Sequence, residues 1–207
     1  MAVDQSVRLA IYNDALILLG ERTLSSLSEN REPLRLLDAV WDGAIRYCLE
    51  EGQWNFAVRG TKIEYDPSVE PPFGYERAFP KPDDWVRTCS VCTDPYFNNA
   101  LESYIDEAGF WFANHSDLFV RFVSDDDLYG LNSSAWPQTY RRFVAAYLAK
   151  LLSPRLKNGS DAQIVEQEFR MRKSDALTKD AMQDPVKHVP AGYFVQSRRG
   201  HRGQFNR

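Results

Sequence analysis

Apolar positions recur at helical spacing through the first fifty residues and then change period. Leu37, Trp41, Ala44, Ile45 and Cys48 fall at intervals of three and four, which predicts one face of an amphipathic helix, extended by Leu49. Gly52 predicts the C-terminal stop of that helix. Beyond it, the β-favouring run of Val58, Thr61, Ile63 and Tyr65 predicts a strand over Val58 to Tyr65. Trp54-Asn55-Phe56 lies where the period changes. Trp54 and Phe56 are therefore expected to fasten the helical part to the strands, as buried aromatics at a structural junction.

The same pattern places the remaining elements. A first helix starting near Asp4 or Ser6 is expected to bury Val7, Ala10, Ile11, Ala15, Leu18 and Leu19 and to end at Gly20. The second begins at Glu32 and Pro33 and turns Leu36, Leu37, Val40 and Trp41 inward, so the two are expected to pack antiparallel. Prolines 67, 71, 72, 80 and 82 forbid a continuous ladder or helix and predict a shaped loop from Asp66 to Asp84. Phe73, Tyr75 and Phe79 should hold that loop against the sheet or a neighbouring subunit. Short strand-like runs follow at Trp85 to Val91, Ala100 to Ile105, Gly109 to Ala113 and Phe119 to Phe122. With Val58 to Tyr65 they predict one small antiparallel sheet. A third helix is expected from Pro137 to Leu152, with Pro154 just past its end. A fourth, from Asp161 to about Met182, presents Ile164, Phe169, Met171, Ala176 and Leu177. The predicted class is thus α+β: a bundle of about four helices over residues 1–184, with a β insertion at about 57–124, and an extended arm at 185–207.

Composition and charge narrow the reading. At 207 residues, 43% hydrophobic and 26% charged, the chain suits one folded domain carrying an insertion and not global disorder. No apolar run reaches the length of a bilayer span, and Met1 to Gln5 lacks a signal-peptide start; synthesis in a cytoplasm is expected. The arm holds Lys187, Arg198, Arg199, Arg202 and Arg207 and no acid, so the chain's net −4 leaves −9 for residues 1–184. Such asymmetry marks an interaction arm, and Tyr193, Phe194 and Phe205 offer it apolar anchors.

Candidate chemistry is sparse. Three cysteines, without an export signal, predict reduced thiols. Cys89 and Cys92 form a single CxxC in a strand setting, with no second pair and no histidine at ligand spacing, which reads as small buried side chains and not as a metal or redox site. Asp125-Asp126-Asp127 reads as a solvated loop or helix cap, since adjacent carboxylates do not converge on one ion. Histidines 115, 188 and 201 have no neighbours at ligand spacing. No glycine-rich phosphate loop, HExxH or GxSxG is present. Neither a cofactor nor a metal is expected, and no enzyme activity.

Several segments, in this order and spacing, resemble a known family. They are Ala15-Leu16-Ile17-Leu18-Leu19-Gly20-Glu21, Trp54-Asn55-Phe56-Ala57, Pro72-Phe73-Gly74-Tyr75, Phe79-Pro80-Lys81-Pro82-Asp83-Asp84-Trp85-Val86-Arg87, and the helical stretch around Ala145 to Leu152. Together they resemble the head-to-tail adaptor proteins of tailed bacteriophages, also called tail tubular protein A, from about Val7 to about Ala181.

The resemblance implies a structural protein of the virion neck. Family members form dodecameric rings that bind the portal above and a tail or nozzle protein below, and continue the channel through which DNA passes. On that reading Trp54, Phe56, Phe73, Tyr75, Phe79 and Trp85 are structural. Tyr193, Phe194, Arg198, Arg199, Arg202, Phe205 and Arg207 form the portal-docking arm. Two other classes compete. A nucleic-acid-binding phage protein would act through the basic tail, against an acidic body with no helix-turn-helix or zinc pattern. A peptidoglycan hydrolase is suggested only by abundant carboxylates.

Overall fold

The structure, a computed structural model, describes residues 2–156 and 159–183. Helix α1 (Ala2–Leu18) ends where Gly20 takes φ +63°, a left-handed value that glycine adopts without a Cβ penalty. Glu21 N–H then bonds to the Leu16 carbonyl at 2.8 Å and Gly20 N–H to the Ile17 carbonyl at 3.0 Å, closing a Schellman motif. Helix α2 (Glu32–Glu50) carries proline in its first turn, as expected. It does not end through its glycine's backbone freedom. Gly52 is buried, and a Cβ there would stand 2.8 Å from the Trp54 ring and 2.9 Å from Leu177. The position is glycine for close approach, not for a left-handed cap.

Between α2 and α3 (Gln138–Leu156) lie six strands among the described residues: β1 (Val58–Glu64), β2 (Arg77–Pro80), β3 (Trp85–Cys92), β4 (Ile105–Glu107), β5 (Phe110–Ala113) and β6 (Asp117–Ser124). They form two antiparallel sheets where the sequence predicts one. The first has the order β1-β6-β3 and the second β2-β5-β4. Two expectations change with this. The proline-rich loop contains a strand, because β2 is an edge and Pro80 pairs with Phe110 at its end, where a missing N–H costs no ladder bond. The run expected from Ala100 to Ile105 contributes only a bridge from Ala100 to Cys92. The strand starts at Ile105 and takes in Asp106 and Glu107 of the expected turn, with Ala108 (φ +50°) and Gly109 (φ +83°) making the reversal.

Alternation along the strands sorts the layers. Ile63, Val91, Leu118, Val120 and Phe122 of the first sheet pack with Phe79, Trp111 and Ala113 of the second in a core of their own. Val86 and Val123, with Ala57, join the helical core instead. The first sheet is therefore the middle layer, with the second sheet on one side and the helices against one end of the other.

In the helical body α3 is the hub, packing on α4 (Gly159–Ala181), α1 and α2. Helices α1 and α2 share one core. They meet through long side chains, with Tyr12 and Trp41 edge to face at 5.2 Å, and both rest on α3. On α1 the buried face includes Tyr12 and Leu16, while Ala10 is exposed; on α2, Leu36 and Val40 are only partly buried. Pro154 lies inside α3, two residues before its end, where it removes one intrahelical bond and cannot stop a turn already packed. On α4 the stripe is Val165, Phe169 and Ala176, and Ile164 and Met171 are exposed. The helix buries a single narrow row, so residues one step off it face solvent.

Candidate functional site

The junction is built from the end of α2. The last carbonyls of a helix lack intrahelical donors, and here two side chains supply them. Trp54 Nε1–H donates to the Cys48 carbonyl at 2.8 Å, and Arg87 Nη1 of β3 donates to the Glu50 carbonyl at 2.9 Å. Trp54 is 1% exposed, and its ring meets Tyr140 at 4.8 Å, Phe143 at 5.9 Å and Phe56 at 6.3 Å. Phe56 is partly buried and stands edge to face with Tyr140 at 4.7 Å. Asn55 N–H and side chain reach Asp180 of α4. The Trp54-Asn55-Phe56 turn thus joins α2, α3, α4 and the start of β1.

The loop aromatics divide. Phe79 is fully buried between the sheets, Tyr75 and Trp85 are half-buried, and Phe73 stands free at 106% exposure. Its turn is fixed from below. Tyr75 N–H bonds to the Pro72 carbonyl at 3.2 Å across Gly74 at φ +91°, the third position of a β-turn that demands glycine. The Asn114 amide clamps both flanks, accepting from Glu76 N–H at 2.8 Å and donating to the Gly74 carbonyl at 3.1 Å. Of the two surfaces expected for these aromatics, the sheet takes Phe79 and part of Tyr75, while Phe73 sits at the turn apex, where backbone geometry sends its side chain outward.

A polar knot ties the two sheets beneath that loop. The Lys81 ammonium pairs with Asp106 and lies 3.5 Å above the Trp85 ring. Thr88 Oγ accepts from the indoles of Trp85 at 3.1 Å and Trp111 at 3.2 Å, and donates to Asp106 at 3.2 Å. A second knot closes the edge of the first sheet. Asp84 accepts from Arg59 at 2.7 Å and from the Ser124 hydroxyl. Gly130 passes so close that a Cβ would overlap the Ser124 carbonyl.

The aspartate run is used in that turn. Asp125 pairs with Arg46 at 2.8 Å, and Asp126 accepts from Leu128 N–H at 2.9 Å. No group of three or more His, Cys, Asp or Glu among the described residues is arranged to hold a metal. Cys48 and Cys92 are buried and Cys89 half-buried, none of them in a disulfide; burial pushes Cys89 up to about 11 and Cys48 well above its ordinary value. These are unreactive settings.

Carboxylates tell the same story. Among the described residues, Glu29, Glu51, Asp66, Asp84, Asp94 and Glu166 are displaced from their ordinary values, and all six lie lower. Glu51 is held down first by Lys173, and Glu166 first by Lys150. No helix of the described residues is long and apolar enough to cross a membrane.

What the structure adds is surface. A groove of about 610 Å³ runs between α1, α3 and α4, where Ile17 and Met171 are 61% and 59% exposed. A pocket of about 540 Å³ opens on the first sheet, with Phe97, Phe119 and Arg121 around Gly60. Sequence reading missed this pocket; the signal was Arg121 between the apolar residues of β6. Tyr193, Phe194, Arg198, Arg199, Arg202, Phe205 and Arg207 lie outside the described residues. No family model matches the chain, and no curated protein matches it either.

Proposed function

We propose that the protein is a head-to-tail adaptor of a tailed bacteriophage, a structural ring of the virion neck that joins the portal to the tail and continues the DNA channel. The observation that carries this reading is the kind of surface the chain presents. Large apolar side chains stand out at separate places, Phe73 on the β unit and Ile17, Ile164 and Met171 on the helices, while the polar clusters around Thr88 and Asp84 tie strands together. Exposed apolar residues without a catalytic grouping suit assembly. The resemblance of the ordered segments from Val7 to Ala181 supplies the identity of that assembly. The acidic body favours a channel wall that does not neutralise DNA phosphates, since each neutralised phosphate adds affinity through counterion release.

In this proposal the arm at 185–207 docks on the portal. Arg198, Arg199, Arg202 and Arg207 meet acidic groups, and Tyr193, Phe194 and Phe205 fill apolar pockets. Repetition around a ring, dodecameric in the family it resembles, makes even a low-affinity arm a firm joint. The test is sedimentation of the purified chain, alone and mixed with its phage's portal protein. The expected result is a ring-sized species that binds portal. Deletion of residues 185–207 should leave melting unchanged and abolish portal binding. A chain that ignores portal and releases sugar from peptidoglycan would overturn the proposal.

A further inference from the structure

We infer that the Phe73 turn of one copy docks into the Gly60 pocket of a second copy, which makes it the contact between neighbours in the proposed ring. This inference rests on that reading for its closure but on separate residues for its geometry. The turn is a formed knob. Two prolines lead into it, the Asn114 clamp holds it from below, and the Phe73 ring has no protein around it. Little ordering cost therefore remains to be met on binding.

The pocket is formed as well. Gly60 faces Arg121 across the β1–β6 ladder, and Lys62 faces Phe119. The Pro95–Phe97 turn folds over this patch. Phe97 holds φ +58°, an uncommon value for a phenylalanine, and the Arg121 guanidinium lies 4.1 Å from its ring centroid. Gly60 lets the Phe97 ring and the Arg121 stem lie close over the strand: a Cβ there would stand 3.8 Å from Phe97 and 3.7 Å from Arg121. The result is a recess with Val58, Pro95, Phe97 and Phe119 as its apolar lining and Lys62 and Arg121 beside them.

Charge matches across the two. Phe73 lies between the exposed Glu70 and Glu76, in Glu-Pro-Pro-Phe-Gly-Tyr-Glu. The recess is rimmed by Arg121, which pairs with no carboxylate among the described residues, and by Lys62, which also pairs with Asp117 at 3.0 Å. An apolar anchor flanked by acids thus meets an aromatic slot flanked by bases, the arrangement expected of an interfacial hot spot.

Position decides the symmetry. Trp111 and Ala113 of β5 face the first sheet, so Phe112, next to the Phe73 turn, faces away from it. Gly60, Lys62, Phe119 and Arg121 face away from the second sheet by the same alternation. Knob and recess are on opposite outer faces of the β unit. A copy that fills its neighbour's recess keeps its own recess open for the next, which generates a ring or a filament and not a closed pair.

The experiment is sedimentation velocity over a concentration series, with melting measured on every variant. Phe73→Ser removes a fully exposed side chain, so melting should hold while self-association falls about 30-fold or more. Arg121→Glu with Lys62→Glu should do the same. Adding Glu70→Arg and Glu76→Arg to that chain should restore association, because the swapped charges again complement. Rings that persist in Phe73→Ser, or a swap that fails to restore them at unchanged melting, overturn this contact and leave the adaptor proposal standing. A wild-type chain that stays monomeric at every concentration overturns the contact and the ring together. Binding of a short DNA duplex that is lost in Arg121→Glu while sedimentation is unchanged would assign the recess to phosphate and overturn the contact.

Discussion

Trp54→Ala removes the side chain that joins more elements than any other described above. The indole is 1% exposed and contacts Tyr140, Phe143 and Phe56. Its truncation leaves a cavity in a core whose neighbours are themselves large rings, and large-to-small changes of this kind cost about 3–5 kcal/mol. The Cys48 carbonyl also loses the indole donor at 2.8 Å, a further ~1 kcal/mol for a buried acceptor left open. In a chain of this size each kcal/mol moves the melting temperature by about 2–4 °C. Thermal unfolding followed by circular dichroism should therefore shift down by roughly 8–24 °C. Trp54→Phe keeps most of the ring and loses only the hydrogen bond, so its shift should be a fraction of that. A double-mutant cycle with Tyr140→Leu should return a coupling of about 0.5–1.5 kcal/mol, the range for an edge-to-face pair. A Trp54→Ala shift below about 3 °C would refute the reasoning, because it would mean the turn does not hold α2, α3 and α4 together.

Other perturbations separate the two knots. Gly130→Ala forces a Cβ onto the Ser124 carbonyl and to 3.0 Å from Leu49, so urea unfolding should show a loss of about 1–3 kcal/mol or more. Gly43→Ala, with nothing within 4 Å in the middle of α2, should instead gain about 0.5–1 kcal/mol; a loss in both would point to glycine-independent damage. Thr88→Val strips the acceptor from two indoles and should cost about 1–3 kcal/mol, while Thr88→Ser retains most of the stability. Burial pushes the Asp84 carboxyl up, but Ser124 and Arg59 outweigh it and hold the group below its ordinary value; Glu51 is held down by Lys173 and then Tyr47. A depressed folded pKa stabilises fully above the unfolded value of about 4 and is lost as pH falls through the folded one. Melting temperature should accordingly drop steeply below about pH 4, and Asp84→Asn should flatten that slope; an identical slope in the variant would show that Asp84 is not part of the acid response.

Sequence alone determined the order of the four helices, the α1 stop at Gly20, and the burial of Trp54, because each follows from local period and from glycine's freedom at one residue. The helical body with a β unit between α2 and α3 was legible for the same reason. Which strands share a sheet was not. Residues such as Phe79 and Trp111 carry the same apolar signal whether one sheet curls or two sheets stack, and only long-range pairing separates these outcomes. The role of Gly52 was hidden similarly, since its constraint comes from the folded position of the Trp54 ring and from Leu177, far along the chain. Helix periodicity named Ile164 and Met171 as inward, yet a helix resting on one neighbour buries a single row, and the neighbour chose Val165 and Phe169. Phe73 shows the limit most sharply: composition says an aromatic prefers burial, while the turn at Gly74 and the Asn114 clamp, set by β5 nearly forty residues later, hold it in solvent. Local chemistry decides what a residue favours, and only the tertiary contacts decide which surface it is given.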